Sequence, residues 1–260
     1  MNITKEYESV VKSIQSNTIK FLGWEKLKEK NIAVCADIHA PFHSDLWVYR
    51  FLATAKKRNT KPCIIGGDMF QFDEFSKHKS NNPDAKFVTS MLSFKKLMEA
   101  YFKVFKVIYI SQGNHDDWLS IFTEGRIINE DMLKLFGEFN KEFKDKVVVS
   151  KYPYIELNDK WRITHAKSYS VTKGAVANKL SIKFNKNICN AHGHFLSFGY
   201  SVNGKNFVID LGGLFDREKM YYVMFSDTTH PVWNNGFLVI EDDYPTLYGD
   251  HTNWKKEGIR

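Results

Sequence analysis

Short apolar segments that end in aspartate or histidine constrain this chain more strongly than any other feature of its sequence. Such segments predict buried strands, and open α/β sheets bind ligands beyond the carboxyl ends of their strands. We therefore expect the polar residues that follow these segments to converge on one site. In chain order they are Asp37 and His39, Asp68, Asn114 with His115 and Asp116, His165, and His192 with His194.

The order of the predicted elements indicates an α/β fold. Strands and helices alternate in the first half of the chain, as in a mostly parallel sheet, whereas short strands predominate after residue 143. A strand-rich second half is expected if a second sheet packs on the first. The predicted elements are strands at 31–36, 63–65 and 107–111, helices at 45–57 and 85–105, a helical stretch from 117 to 143, strands at 146–150, 154–157 and 161–164, a helix at 171–184, and strands at 187–190, 195–200, 206–211, 220–225 and 236–241.

The domain organisation follows from the length and from the absence of a linker. The 260 residues contain no stretch rich in proline, glycine and serine, and a chain of this size suits one α/β domain. We predict a single domain over residues 1–260. Within it, residues 1–30 are expected to form a helical appendage outside the sheet, and residues from about 212 to 260 to form C-terminal strands and a tail.

Composition and charge narrow the class of protein. Apolar residues make up 43% of the chain and aromatic residues 15%, which excludes an intrinsically disordered protein. The net charge of +7 favours an anionic partner such as a phosphorylated substrate. Cys35, Cys63 and Cys189 lie in strand-like segments, as expected of reduced core thiols in a cytoplasmic protein. No segment resembles a signal peptide or a membrane span.

The polar clusters combine carboxylate oxygen, amide oxygen and imidazole nitrogen. This mixture of ligand atoms suits Mn, Fe or Zn, whereas oxygens alone would have suited Mg or Ca. We therefore expect divalent metal at this site, with Mn first and Fe, Zn and Ni as alternatives.

The ordered motifs D-x-H, G-D, G-N-H-D, a lone histidine and H-x-H resemble those of the calcineurin-like metallophosphoesterase superfamily. The resemblance extends from residue 31 to about residue 211 and implies a four-layer α/β/β/α sandwich of two mixed sheets flanked by helices. It also implies a dinuclear centre with two divalent metal ions. Two cations about 4 Å apart deprotonate a water between them and stabilise an in-line attack on phosphorus. One metal would be bound by Asp37, His39 and His194, the other by Asn114, His165 and His192, and Asp68 would bridge them.

The resemblance implies a separate role for His115. In the family this histidine lies over the phosphate and protonates or stabilises the departing oxygen, while a hydroxide that bridges the metals attacks phosphorus. A neighbouring carboxylate such as Asp116 would help to keep His115 protonated. Many members also carry a carboxylate where this chain has Gln71, so that group is missing here or is replaced by Asp73.

These features predict a metal-dependent hydrolase of phosphate mono- or diesters, with a nucleotide or nucleic acid as substrate. A nuclease acting on DNA or RNA is the alternative within the enzyme class. A metal-binding scaffold without catalysis is the alternative of another class. The G-D-x-V-D-R-G motif of the related protein Ser/Thr phosphatases is absent, which argues against that activity.

Two further features leave alternatives open. His43 either contacts the substrate phosphate from the first strand-to-helix loop or caps the next helix. The aromatic residues at 70–75 and the lysines at 173–186 either form a nucleic-acid groove, where stacking and charge act together, or belong to a lid and a solvated helix face. The polar segment 71–83 is predicted to be a surface loop.

Overall fold

A seven-stranded sheet contains all the strands of the first half of the chain. The computed structural model describes residues 26–77, 86–138, 140–220 and 233–260, the backbone of residues 20–22 and a few helical residues among the first twelve. In spatial order the strands are β1 (Lys20–Leu22), β5 (Val147–Ser150), β4 (Val107–Ser111), β3 (Pro62–Gly66), β2 (Asn31–Cys35), β11 (Gly236–Glu241) and β12 (Tyr244–Gly249). The first five run parallel, and β11 is antiparallel to both of its neighbours.

A second, five-stranded sheet is formed by the later part of the chain. Its spatial order is β6 (Tyr154–Leu157), β7 (Trp161–Thr164), β8 (Asn187–Asn190), β10 (Phe207–Leu211) and β9 (Leu196–Tyr200). The three central strands are parallel, and the two edge strands are antiparallel to them. Both sheets are therefore mixed, as the family resemblance implies.

Helices cover the outer face of each sheet. The described helices are α1 (Asp45–Lys57), α2 (Phe87–Phe102), α3 (Asn114–Phe122), α4 (Asn129–Glu138), α5 (Lys141–Lys146), α6 (Ala175–Phe184) and α7 (Trp254–Glu257). Side chains of α1, α2 and α4 share one apolar cluster with the larger sheet. Helix α6 packs on the smaller sheet through Ala177, against Ile188 and Val208. The layers are helix, sheet, sheet and helix, so the predicted four-layer sandwich is confirmed.

Strand β2 shows why the sequence of the central strands is apolar throughout. Ala33 and Cys35 belong to the cluster beneath the helices, whereas Ile32 and Val34 belong to the cluster between the two sheets. A parallel strand that is buried on both faces needs apolar residues at every position, not at alternate ones. The continuous apolar run therefore holds β2 in the middle of the molecule and fixes the position of the residues that follow it.

Two expectations about the sheets are wrong. Residues 20–22 are a strand and not part of a helical appendage, because they pair with the edge strand β5, whose outward backbone groups accept a neighbour. Strand β11 and the unpredicted strand β12 join the first sheet beside β2, not the second sheet. Apolar patterns predict strands but do not say which sheet edge a strand will join. The predicted strand at 220–225 lies almost wholly outside the described residues.

The segment after β3 also differs from the prediction of a polar surface loop. Gln71 and Phe72 are fully buried, Asp73 is nearly so, and residues 73–75 form a 3₁₀ turn. The rings of Phe70 and Phe72 stack at 4.5 Å inside the core. The sequence left open that the aromatic residues at 70–75 line a nucleic-acid groove. The buried side chains of Phe70 and Phe72 cannot do so.

The three cysteines are buried and unpaired, as predicted. In the part of the chain that the structure describes, no helix combines the length and the apolar character needed to cross a bilayer.

Candidate metal centre

The residues singled out by the sequence lie at the carboxyl ends of strands from both sheets. Because the sheets pack face to face with these ends on the same side, residues far apart in sequence meet there. Asp37 and His39 follow β2, Asp68 follows β3, Asn114 begins α3 just after β4, His165 follows β7, and His192 and His194 follow β8.

One part of this cluster is completely enclosed. We call Asp37, His39 and His194 the closed half. The Nε2 atoms of His39 and His194 lie 3.1 Å apart, and His194 Nε2 lies 3.1 Å from Asp37 Oδ1. All three side chains are buried, and Asp68 Oδ2 lies 3.9 Å from His39 Nε2. These atoms, each able to ligate a metal, converge on one small space.

The other part reaches solvent. We call Asn114, His165 and His192 the open half. His165 Nε2 lies 3.2 Å from Asp68 Oδ2 and 3.1 Å from Asn114 Oδ1. The ring of His192 lies 5.4 Å from that of His165, centroid to centroid. Asn114 and His192 are half-buried. Asp68 contributes to both groups of potential metal ligands.

The hydrogen bonding of these side chains fits divalent cations. Asp37 Oδ1 and Asp68 Oδ2 are buried, and imidazole nitrogens face them, His194 Nε2 at 3.1 Å and His165 Nε2 at 3.2 Å. His165 Nδ1 donates to the carbonyl oxygen of Gly66 at 3.0 Å, which leaves Nε2 directed at two oxygen acceptors. A buried carboxylate is costly unless its charge is balanced. A cation would satisfy the oxygens and the imidazole nitrogens together, and the bond to Gly66 fixes the tautomer that metal binding needs.

The charges of the cluster shift its pKa values strongly. Burial raises the pKa of Asp68 and lowers that of His165, but their mutual attraction, together with the other aspartate and histidine side chains of the cluster, outweighs both effects. The pKa of His165 is consequently raised to about 10, and that of Asp68 is held well below its usual range. Burial also raises the pKa of Asp37, but its interactions with His194, His39 and His165 together lower this pKa by more, as at Asp68. The two carboxylates are thus anionic and attract cations.

The backbone at these residues is unusual. Five of the seven predicted ligands have a left-handed φ, between 49° and 76°, although none is glycine: Asp37, His39, Asp68, His192 and His194. Each such residue costs about 1–3 kcal/mol unless its surroundings impose the conformation. The fold therefore bends the chain directly after its strands so that alternate side chains turn toward the same point.

Two motif glycines permit the close approach of the ligands. A Cβ atom on Gly67 would lie 2.6 Å from Nδ1 of His165, and one on Gly113 would lie 2.1 Å from Oδ1 of Asp68. Gly67 also has a φ of 96°, which side chains rarely tolerate. The glycines before Asp68 and Asn114 are thus required by packing against the ligands.

His115 lies beside the cluster with its ring held on three sides. Its Nδ1 donates to the carbonyl oxygen of Gln71 at 2.8 Å. The ring of Trp118 covers it at a centroid distance of 3.8 Å, and the ring of His39 meets it edge-on at 4.6 Å. Burial lowers the pKa of His115 to about 3. A backbone carbonyl thus orients this ring from the position where many family members have a carboxylate.

Asp116 bonds to the backbone. Its Oδ1 accepts from the N–H groups of Met69 and Phe70, and its Oδ2 accepts from the N–H group of Gly113. Burial raises its pKa to about 7. These bonds join the segment after β3 to the segment after β4 and thereby hold Asp68 next to Asn114. That Asp116 helps to keep His115 protonated stays a prediction.

His43 lies against helices α1 and α2. Its Nε2 is 3.3 Å from Asp45 Oδ1, and its Nδ1 is 3.5 Å from Ser93 Oγ. Neither contact is with a backbone N–H group, and the N-cap of α1 is Ser44, so both alternatives for His43 stay predictions.

The sequence did not point to three groups that border the cluster. Trp118 lies one turn after His115 on α3, so its spacing of three residues was a usable signal. Trp233, which meets the ring of His194 at 4.5 Å, and the backbone carbonyl of Gln71 gave no local signal. Contacts of these two kinds become visible only in three dimensions.

Comparison with known proteins agrees with the motifs. The family model for calcineurin-like phosphoesterases matches residues 30–227. A search of curated proteins gives no significant match.

Solved structures with a similar chain course include three at low sequence identity. A single mutant of Vps29 from Entamoeba histolytica is 12% identical, with a TM-score of 0.46 over 84% of this chain and 91% of that one. Vacuolar protein sorting 29 from Cryptosporidium parvum is 13% identical, with a TM-score of 0.43 over 85% and 96%. A predicted phosphoesterase from Streptococcus pneumoniae is 12% identical, with a TM-score of 0.36 over 85% and 88%.

Proposed function

Since this chain belongs to the calcineurin-like phosphoesterase family and is a metal-dependent phosphoesterase, we propose that it holds two divalent cations and hydrolyses phosphate esters of nucleotides or nucleic acid. The observation that carries the proposal is that two groups of converging ligand atoms share Asp68. A carboxylate suits a shared position because it has two anionic oxygens. We assign the closed half to one cation, the open half to the other, and Asp68 to both.

The cations, when bound, supply the positive charge that acidifies a water and stabilises the phosphoryl oxygens of an in-line displacement. The protein supplies the orientation of the other groups. His115 would direct Nε2 toward the departing oxygen, because its Nδ1 is bonded to the carbonyl of Gln71. The negative charge of a bound phosphate ester would raise the pKa of His115 and so favour its protonated form. Trp118 limits the access of water to that ring.

Asp116 is proposed as a positioning residue. Its three hydrogen bonds to backbone N–H groups support this role, since they join the two segments that carry Asp68, Asn114 and His115.

The proposed substrate and metal rest on more general features of the chain. The net charge of +7 favours anionic substrates, and the mixture of nitrogen and oxygen ligands favours Mn, with Fe, Zn or Ni as alternatives.

The test compares turnover with metal content. Protein stripped by a chelator and reloaded with manganese, iron, zinc or nickel would be assayed on a monoester, a diester, cyclic nucleotides, and single- and double-stranded nucleic acid. Replacing His115 with alanine should lower turnover by about 10²–10⁴-fold while both metals remain bound. His251→Ala, which changes an exposed histidine, is the control and should behave like the unaltered protein.

Either of two results would contradict the proposal. Undiminished hydrolysis by His115→Ala would remove this histidine from the mechanism. Metal-loaded protein that hydrolyses none of the esters would favour the scaffold alternative.

A further inference from the structure

The loop between β7 and α6 crosses the metal centre from one half to the other. It starts directly after His165 of the open half. At its other end, Lys173 Nζ donates to Asn234 Oδ1 at 2.8 Å, and the N–H group of Asn234 donates to the carbonyl of His194 in the closed half. The loop therefore borders both halves of the centre on the side of the smaller sheet.

This loop carries positive and aromatic side chains that reach into solvent. Lys167 is 61% exposed and Tyr169 is 57% exposed, while Lys173 is also exposed. The ring of Tyr169 lies 6.2 Å from that of Phe195, and Lys173 Nζ lies 5.8 Å from the centre of the same ring. Phe195, which directly follows His194, is buried and supports both side chains from below. We call Lys167, Tyr169 and Lys173 the basic rim.

The charges of the basic rim remain available to an anion. The hydrogen-bond acceptor of Lys173 is an amide oxygen, which does not neutralise its charge. Asp210 lies near this end of the loop, but it is buried and accepts from the N–H group of Gly174 and the hydroxyl of Ser197. Lys167 pairs with Asp117 at 2.6 Å. An exposed pair of this kind contributes little free energy, so Lys167 can exchange Asp117 for a phosphate.

We propose that the basic rim is a binding subsite for single-stranded nucleic acid next to the scissile phosphate. This inference rests on the proposed hydrolysis of phosphate esters and names the substrate class. In a single strand the phosphates alternate with bases whose faces are open. Along the rim, Lys167, Tyr169 and Lys173 offer the matching order of charge, ring and charge. Proteins bind single strands without sequence preference in this way, by stacking bases on aromatic rings and attracting the phosphates with positive charge. A duplex hides its base faces, so Tyr169 favours a single strand.

The experiment compares an oligonucleotide with substrates that cannot reach the rim. The manganese-loaded full chain would be assayed on a labelled single-stranded oligodeoxynucleotide and on two small esters without rings, glycerol phosphate and glycerophosphocholine, followed by phosphorus NMR. For each variant the readout is the kcat/KM for the oligonucleotide divided by the kcat/KM for the small ester that is hydrolysed. This ratio cancels any general loss of activity.

Tyr169→Ala should lower the ratio by about tenfold, mainly through KM, because stacking of a base on a ring is lost. Lys173→Gln and Lys167→Gln should each lower it less and should each reduce the slope of log(kcat/KM) against log salt by about one. Tyr169→Phe, which keeps a ring, should retain most of the ratio.

Matched controls come from the same chain. Tyr49→Ala removes a tyrosine that is 50% exposed on α1. Lys160→Gln breaks an ion pair with Asp243 at 2.7 Å, and Lys160 is 64% exposed, close to the 61% of Lys167. Lys183→Gln removes a lysine that lies 5.2 Å from the ring of Phe184. All three controls should keep the ratio and the salt slope of the unaltered protein.

The outcomes separate the inference from the proposed function. Protein that hydrolyses neither small ester nor the oligonucleotide would overturn the proposed function itself. A small-ester activity combined with an unchanged ratio in Tyr169→Ala and Lys173→Gln would overturn the basic rim alone. Equal kcat/KM for a duplex of the same sequence, with no effect of Tyr169→Ala on either, would overturn the preference for a single strand.

Discussion

The closed and open halves of the metal centre share Asp68 but are built in different ways. All three residues of the closed half have a left-handed φ, whereas in the open half only His192 does. In the closed half the Nδ1 atoms of His39 and His194 make no hydrogen bond to any described residue. In the open half, His165 Nδ1 is fixed by the carbonyl of Gly66. Backbone conformation and packing thus orient the closed half, whereas a hydrogen bond to the backbone orients His165 in the open half.

The closed half is also less accessible to solvent than the open half. Phe215 packs against the rings of both histidines of the closed half, at 6.0 Å from His39 and 4.6 Å from His194. Asn114 and His192 in the open half are only partly covered. Water can replace a missing ligand in the open half but not in the closed half. Two sites with similar ligand atoms should therefore respond differently to the loss of a ligand.

The largest effect is expected at the residue that both halves share. Asp68→Asn keeps an oxygen that can accept from the N–H group of His115, a bond of 2.9 Å in the structure, but it removes the negative charge. We expect both metals to bind weakly and turnover to fall by at least about 10³-fold. Metal analysis and the turnover assay would measure this. Asp159→Asn, at a carboxylate that is 66% exposed, should change neither, and full metal content in Asp68→Asn would contradict the shared role.

The next largest effect is a difference in Mn affinity between variants of the closed and the open half. His194→Ala leaves Asp37 buried without its nearest imidazole, and water cannot easily fill the gap. His192→Ala opens a position that water can reach. We expect calorimetric titration with Mn to show a loss of affinity of about 100-fold for His194→Ala and about 10-fold for His192→Ala. Equal losses in the two variants would break the distinction between a closed and an open half.

The smallest effect is expected from a substitution that disturbs the open half but replaces none of its ligands. Gly67→Ala and Gly125→Ala both place a side chain at a positive φ, 96° and 77°, and this backbone strain should cost each variant about 1–2 kcal/mol of unfolding free energy. Contacts of 2.6 Å with His165 and 2.9 Å with Gly113 should destabilise Gly67→Ala further. Only at Gly67 would the new Cβ meet His165, since nothing lies within 4 Å at Gly125. We therefore expect only Gly67→Ala to lose Mn affinity, by about tenfold. Denaturant unfolding and titration would show whether the two effects separate.

Much of the fold could be predicted because its signals are local. The strands β2, β3 and β4 are apolar runs that end at aspartate, glycine or a polar turn, and the predicted helix at 45–57 coincides with α1. The placement of β11 beside β2 could not be predicted in this way. This placement depends on which sheet edge is left unpaired for the C-terminal segment, and the unpaired edge is a property of the assembled sheets.

Residue type and the short spacing within each motif set the kinds of ligand atom and their order along the chain, so the sequence alone predicts both. Which of these atoms are enclosed and which reach solvent depends on the packing of the two sheets. The tertiary structure also placed the carbonyl of Gln71 on His115, packed Trp233 on His194 and brought the basic rim across the centre. These features join segments that are distant in sequence, so they depend on the packing of two sheets and leave no local pattern.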